Sequence, residues 1–383
     1  MSRPTVLAYY FPSWHQDPQN ARWFGEGWSE YQLLADAKPR FPGHRQPRVP
    51  VAGEVDESDP RVFDQQIDLA VDHGVNGFLF DFYWYEDGPY LNAALDDGYL
   101  KAARRDDIDF ALMWANHHLT DIFPSKSPHE DKPILKNGAI DRATFESMAE
   151  HIIEHYFSQP SYLTVDGRPW FSIYEIGSLI EGLGGVDATR EALDWFDGRA
   201  KAAGHAGVHL DAIVWGFEFL PGGITVADPS ELIDALGFSS ASSYVWIHHL
   251  DPLTQTFPTS PWSQVEDAAF AAYDEYAKSL SVEFSPNVTV GWDASPRTAQ
   301  DVEFTEGSYP WIPVFDPSPA EFERGLRRAA AFFEEHPRER PILSINAWNE
   351  WTEGSSLLPD TVNGTGYLEA IRRVFGTAVA RRG

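Results

Sequence analysis

The sequence predicts an α/β fold: a single (β/α)8, or TIM, barrel with extended βα loops, formed by residues 1–383 as one domain. Three observations predict it. Short β-branched or aromatic runs alternate with stretches that carry apolar residues at helical spacing, the pattern of a parallel sheet with helices between its strands. The runs number eight, which favours a closed barrel over an open doubly wound sheet. No glycine-rich G-x-G-x-x-G turn follows the first run, which argues against a dinucleotide-binding fold.

The eight runs are Thr5–Tyr10, Gly77–Tyr83, Asp109–Ala115, Pro169–Tyr174, Leu210–Phe217, Leu236–Ser239, Asn287–Trp292 and Ile342–Trp348. Between them lie helical faces. Phe63, Ile67, Ala70 and Val71 form one, and Phe145, Met148, Ile152 and Tyr156 another. Leu193, Phe196, Ala200 and Ala203 form a third, with Gly204 suited to close it. Asp228-Pro229 opens a short helix as cap and first-turn proline. Phe322, Leu326, Ala329 and Phe333 form the face before the last strand. The Pro-rich stretches around Pro39–Pro50 and Pro310–Pro319 are short and carry large apolar residues, so they read as ordered loops. With 383 residues, 43% of them hydrophobic, the chain can bury a large core.

Composition narrows the function classes. Acidic residues outnumber basic ones 58 to 29, a formal net charge of -29, so nucleic acid and anionic membrane surfaces are repelled. No apolar run is long enough to span a bilayer, and the first residues lack the charged-then-apolar pattern of a signal peptide, so the chain as given reads as cytoplasmic. There are no cysteines, which excludes disulfides, thiolate metal sites and a cysteine nucleophile. The pairs His117-His118 and His248-His249 have no third ligand at useful spacing, so neither a metal nor another cofactor is expected. Fourteen tryptophans suit sugar binding where they stand beside polar groups, because a pyranose has an apolar face that stacks on indole.

In a barrel of this kind the active site lies at the C-terminal ends of the strands. That rule selects Tyr9, Tyr10, Asp81, Tyr83, Trp84, Trp114, Asn116, His117, Glu175, Glu218, Tyr244, Trp292, Asp293, Asn349, Glu350 and Glu353, with apolar strand interiors expected behind them. Glu350 and Glu353 follow the apolar run Ile342–Ile345, with Trp348 and Trp351 beside them. Three positions apart, they face opposite ways in an extended chain and the same way in a turn, which Gly354 permits. Two carboxylates on one side of a cleft are what glycosidic cleavage requires, one giving a proton to the leaving oxygen, the other stabilising or generating the attacking group. Their proximity also raises one of the two pKa values, keeping an acid protonated near neutral pH. In so acidic a chain a Glu-x-x-Glu pair on a solvated loop is the ordinary alternative; the strand-end position and the flanking tryptophans weigh against it.

Several segments, in order and over nearly the whole chain, resemble the glycoside hydrolase family 99-like, or WbsX-type, domain. They are Tyr9-Tyr10-Phe11-Pro12 with His15, Trp23-Phe24-Gly25-Glu26-Gly27-Trp28-Ser29-Glu30, the Ala37–Pro47 stretch with His44 and Gln46, and Gly77-Phe78 to Tyr83-Trp84. Trp114-Ala115-Asn116, Val165–Pro169, Gly291-Trp292-Asp293 with Pro296-Arg297, Asn346–Gly354 and Gly366–Ala370 complete the set. The resemblance implies a glycosidase, or a related enzyme of surface polysaccharide metabolism. It implies that Glu350 takes the proton from the sugar 2-hydroxyl, so that this oxygen attacks the anomeric carbon, and that Glu353 is the acid and then the base. Retention without a covalent enzyme adduct follows, on a manno-configured α-glycoside such as mannose or rhamnose. His44, Gln46 and Trp351 are further candidates for substrate contact. After the motif the chain reads Ser355-Ser356-Leu357-Leu358-Pro359-Asp360, where the family often carries a glutamate before the proline.

The expected partner is a carbohydrate substrate. Two other readings stay open: a glycosyl-transferring enzyme of polysaccharide assembly using the same carboxylates, and a non-catalytic carbohydrate-binding barrel.

Overall fold

A computed structural model describes residues 3–216 and 229–376. Eight barrel strands carry the site: β1 (Thr5–Tyr10), β2 (Gly77–Tyr85), β3 (Asp109–Trp114), β4 (Arg168–Ile173), β5 (His209–Ile213), β6 (Ser240–Ser242), β7 in two pieces (Glu283–Ser285 and Asn287–Thr289) and β8 (Ile342–Asn346). They pair in parallel and in chain order, from β1 through β6 to the first piece of β7, while β8 pairs with β1 and with the second piece. The break in β7 is Pro286, which has no N–H to give a ladder. Its carbonyl still accepts from the Ser344 amide at 3.2 Å, so the sheet closes across the proline into a barrel.

Ten α-helices are described: α1 (Pro18–Phe24) and α2 (Tyr31–Asp36) in the long first loop, α3 (Pro60–Asp72), α4 (Arg142–Ile152), α5 (Ile176–Leu183), α6 (Val186–Ala202), α7 (Pro229–Leu236), α8 (Trp262–Ser279), α9 (Pro319–Glu335) and α10 (Gly366–Phe375). Local chemistry fixes their starts. Asp59 caps α3 ahead of Pro60, and Ser318 with Glu321 forms a capping box around Pro319 at α9. The expected apolar faces are buried, except that Ala203 is exposed just past the end of α6. Gly77 is required where β2 meets β3, because a Cβ there would stand 2.4 Å from the Asp109 carbonyl oxygen.

Two expectations need correction. The sixth strand is Ser240–Ser242 and not 236–239, because Leu236 ends α7 and Gly237 turns the chain at φ 73°. The strand interiors are also not uniformly apolar. On the β4–β8 side the lumen holds Asp211, which accepts from Ser172 at 2.9 Å, Ser240 at 2.7 Å and Ser242 at 2.6 Å. Asn287 donates to Ser344 at 3.0 Å beside it. These groups are buried and paired, so their burial is tolerated. The other side of each strand packs on the helices: Phe78 and Phe80 of β2 meet Tyr10, Phe63 and Tyr99, and Phe171 of β4 meets Phe196 of α6.

Candidate active site

Beyond β8 the chain forms a two-residue antiparallel pairing, Asn349–Glu350 with Ser355–Ser356, and between its arms Trp351–Glu353 makes a single 3-10 turn. Gly354 ends that turn at φ 67°, a left-handed conformation that only glycine adopts without cost. Its missing side chain also lets the turn sit on Asp293, since a Cβ would be 2.7 Å from the Asp293 Cβ. The turn brings Glu350 and Glu353 to the wall of one cavity, where both are buried, 2% and 6% exposed.

One guanidinium holds the pair. Arg297, on a short turn after β7, donates from Nη2 to Glu350 at 2.8 Å and from Nη1 to Glu353 at 2.5 Å. Tyr309 donates to the same Glu353 oxygen and is held by Arg297 at 2.7 Å. Glu30, at the start of α2, places both carboxylate oxygens 3.3 Å from Arg297 Nη2. The guanidinium plane is flanked by Phe11 and Phe123 at 5.4 and 5.5 Å. Burial raises both catalytic candidates above the usual carboxylate range. Arg297 opposes that, and for Glu350 the charges of Glu353, Glu30 and Asp81 add to it; for Glu353 the Tyr309 hydrogen bond opposes and Glu30 adds. Burial alone would lower Arg297, but its acidic neighbours outweigh that and keep it charged. One cation among three buried carboxylates leaves an excess of negative charge, which favours the protonated forms of Glu350 and Glu353.

The cavity opens to solvent, and cavity and mouth together enclose about 890 Å³. Asp81, Tyr83, His117, Tyr244 and Trp292 line it together with the glutamate pair. Tyr244 donates to Asp81 at 3.1 Å, and burial pushes the Asp81 carboxyl up. Burial holds His117 down at about 4, so it is neutral at physiological pH and offers hydrogen bonds without charge.

The other residues singled out in the sequence are elsewhere. Tyr10, Trp84 and Trp114 point away from the lumen, against Phe63, His151 and Phe145 of the helix layer. Strand alternation causes this: Leu79, Asp81 and Tyr83 share one face of β2, and Phe80, Phe82 and Trp84 the other. Asn116 exchanges hydrogen bonds with the Glu175 backbone at 2.8 and 2.7 Å, tying the β3 and β4 ends together. Asn349 does the same with Phe11, at 2.8 Å both ways. Glu175 accepts from Ser178 behind the wall, and Trp351 is buried without reaching the cavity. His44 and Gln46 reach Asp293, at 2.8 and 2.7 Å, and not the cavity. Asp293 in turn carries the Glu353 turn, its amide donating to the Glu353 carbonyl. Burial would raise the Asp293 carboxyl, but the bonds from His44, Gln46 and Ser295 outweigh it and hold it well below the usual range. Glu218 lies outside the described residues.

Sequence reasoning placed no role on Arg297, Glu30, Tyr309, Tyr174 or His248, all of which line the cavity. Arg297 and Glu30 stood inside quoted motifs, so the signal was present. What pairs them is sequence-distant, with 267 positions between the two. Among the described residues, one group has metal-ligand spacing, Asp274, Glu335 and His336, on helices α8 and α9 and their edge, and none of the three lines the cavity.

The family model described as Glycosyltransferase WbsX matches residues 6–371. A protein called WxcX, uncharacterized, from Xanthomonas campestris pv. campestris strain B100 is 27% identical over 388 residues, covering 98% of this chain and 50% of that protein; the counterpart from strain ATCC 33913 is also 27% identical. The chain therefore spans about half the length of the curated relatives it matches. Among solved structures, a family 99 endo-α-mannosidase from Bacteroides thetaiotaomicron superposes with a TM-score of 0.56 at 14% identity, covering 97% of both chains. A glycoside hydrolase-like protein gives 0.63 at 11% identity, covering 99% of this chain and 95% of the other. At these identities the likeness is one of fold, a (β/α)8 barrel.

Proposed function

The chain belongs to the family described as Glycosyltransferase WbsX, and from that premise we propose that it is a retaining glycosidase acting on an α-linked, manno-configured sugar, mannose or rhamnose, of a poly- or oligosaccharide. The observation that carries this reading is the buried Glu350–Glu353 pair, bridged by Arg297 over a cavity lined by Trp292, tyrosines and neutral histidine. Glu350 takes the proton of the sugar 2-hydroxyl while that oxygen attacks the anomeric carbon. Glu353 gives its proton to the departing glycosidic oxygen. In the second half Glu353 takes a proton from water, which opens the 1,2-anhydro sugar at the anomeric carbon, and Glu350 returns its proton to the 2-oxygen. Two inversions give net retention. An internal nucleophile starts with a high effective molarity, which substitutes for an enzyme nucleophile. A cluster that keeps one proton on two carboxylates supplies an acid and a base at once.

Aryl α-mannosides and α-rhamnosides test the proposal. Glu350→Gln should impair substrates with good and poor leaving groups alike. Glu353→Gln should spare activated substrates in the first step, because they need no proton. Each loss is expected at ~10²–10⁴-fold. Turnover of 2-deoxy substrates, or a glycosyl adduct trapped on either glutamate, would defeat the mechanism. The family's name favours a second reading, in which the same carboxylates pass the sugar to an acceptor hydroxyl instead of water. Product analysis with an added saccharide acceptor separates the two.

A further inference from the structure

Glu30 is 1% exposed, and it reaches the Glu350–Glu353 pair by two routes. Its oxygens stand 3.3 Å from Arg297 Nη2, the same nitrogen that donates to Glu350. It also accepts from the Thr352 hydroxyl at 2.5 Å, within the turn that carries Glu353. Three carboxylates thus divide one guanidinium, and Arg297 is the only lysine or arginine among the described lining residues. The other titratable groups facing the cluster are Asp81 and Tyr83 from β2, Tyr90 beyond it, His117 and His118 after β3, Tyr174 after β4, Tyr244 and His248 after β6, and Tyr309. None supplies a second permanent positive charge.

We propose that Glu30 is a positioning residue that sets the charge of the site: by competing for Arg297 it keeps a proton on the Glu350–Glu353 pair, so that one member is an acid while the other is a base. The proposal rests on the catalytic reading of that pair. Its physical content is a balance. With Glu30 ionised, the positive charge available to the pair is diluted, and the pair holds its last proton to higher pH. The field of Glu30 is a cause of the raised titration of both Glu350 and Glu353. With Glu30 neutral, Arg297 serves the pair alone and both members ionise more readily.

The test is Glu30→Gln, which removes the charge and keeps an acceptor for Thr352. Both limbs of the kcat/KM–pH profile should move to lower pH, and Glu30→Asp, which restores the charge, should bring them back. A purely structural role would instead lower activity at every pH with the limbs in place, and that result overturns the proposal. A second readout does not depend on turnover: carboxyl 13C titration of glutamate-labelled protein, with Glu350 and Glu353 identified by their Gln variants. Their midpoints should fall in Glu30→Gln whether or not any test glycoside is cleaved, so the proposal stands or falls separately from the glycosidase reading. If Glu30→Gln does not fold, the wild-type titration decides. The pair must retain one proton above the ordinary glutamate range, and a pair fully ionised within that range overturns the inference.

Discussion

Among the tryptophans at strand ends, Trp292 alone lines the cavity, and its replacement should separate binding from stability. Trp292→Ala should weaken carbohydrate binding by ~1–3 kcal/mol, the scale of losing one large aromatic contact. Trp114→Ala should instead cost ~3–5 kcal/mol of stability, because its ring is packed on Phe145 in the barrel–helix layer. Calorimetric binding and thermal unfolding check the two sides; a Trp114 variant that folds normally yet binds weakly would contradict this placement. Tyr309 gives a second residue-scale prediction. Its hydroxyl donates to Glu353 and favours the ionised form. Tyr309→Phe should therefore move the alkaline limb of the pH–rate profile upward, opposite to the effect of Glu30→Gln; a limb that stays or falls would refute that role. What the sequence made legible here was the strand end, and alternation along the strand was the information left unused. Tyr9 and Tyr10 were selected together, but Tyr9 meets Tyr244 across the lumen while Tyr10 stacks on Phe63 outside it.

At the scale of elements, the turn after β8 was the most readable part of the site, because its determinants are local. Glu350, Glu353 and Gly354 lie within five positions, and their spacing already requires a turn. Gly354→Ala should lower stability by ~1–2 kcal/mol for the left-handed backbone, and more for the approach to Asp293. Because the same turn aims Glu353, kcat should fall along with the melting temperature. An active, normally melting Ala variant would show that the turn has another route. The elements that complete the site were less readable for a physical reason. Glu30 comes from the loop after β1, Arg297 and Tyr309 from the loop after β7, and all three acquire their roles only through one another. The support behind them is also non-local: His44 and Gln46, in the long first loop, hold Asp293 after β7, and Asp293 holds the turn after β8. The seventh strand was read as Asn287–Trp292, but it pairs in two pieces on either side of Pro286, Glu283–Ser285 and Asn287–Thr289.

At the scale of the whole molecule, the alternation that predicted the barrel did not predict its polar lumen, since buried serines in short strands carry no periodic signal of their own. That lumen makes stability depend on pH. Burial pushes the Asp211 carboxyl up to about 6, against the lowering effect of hydrogen bonds from Ser242, Ser240 and Ser172. In the unfolded chain it returns to its ordinary value of 3.8. Between these values the folded state binds the proton more tightly than the unfolded state does. The resulting stability is fully present below the unfolded value and is lost as pH rises through the folded one. Four buried histidines act in the opposite sense: burial lowers His117 and His209 to about 4 and His249 to about 3, and lowers His248 as well, so they stabilise at higher pH and lose that contribution as pH falls. The wild-type profile alone therefore mixes two signs. Comparison with Asp211→Asn cancels the histidines, because both proteins share them. Relative to this variant, wild type should lose on the order of 2–3 kcal/mol as pH rises from about 4 to about 6, the free-energy equivalent of the Asp211 shift. Above about 6 the difference should be flat. Urea unfolding of both proteins across that range measures it directly. A difference constant from pH 4 to pH 7 would mean that Asp211 is ionised throughout, with the three serine hydroxyls alone compensating its burial.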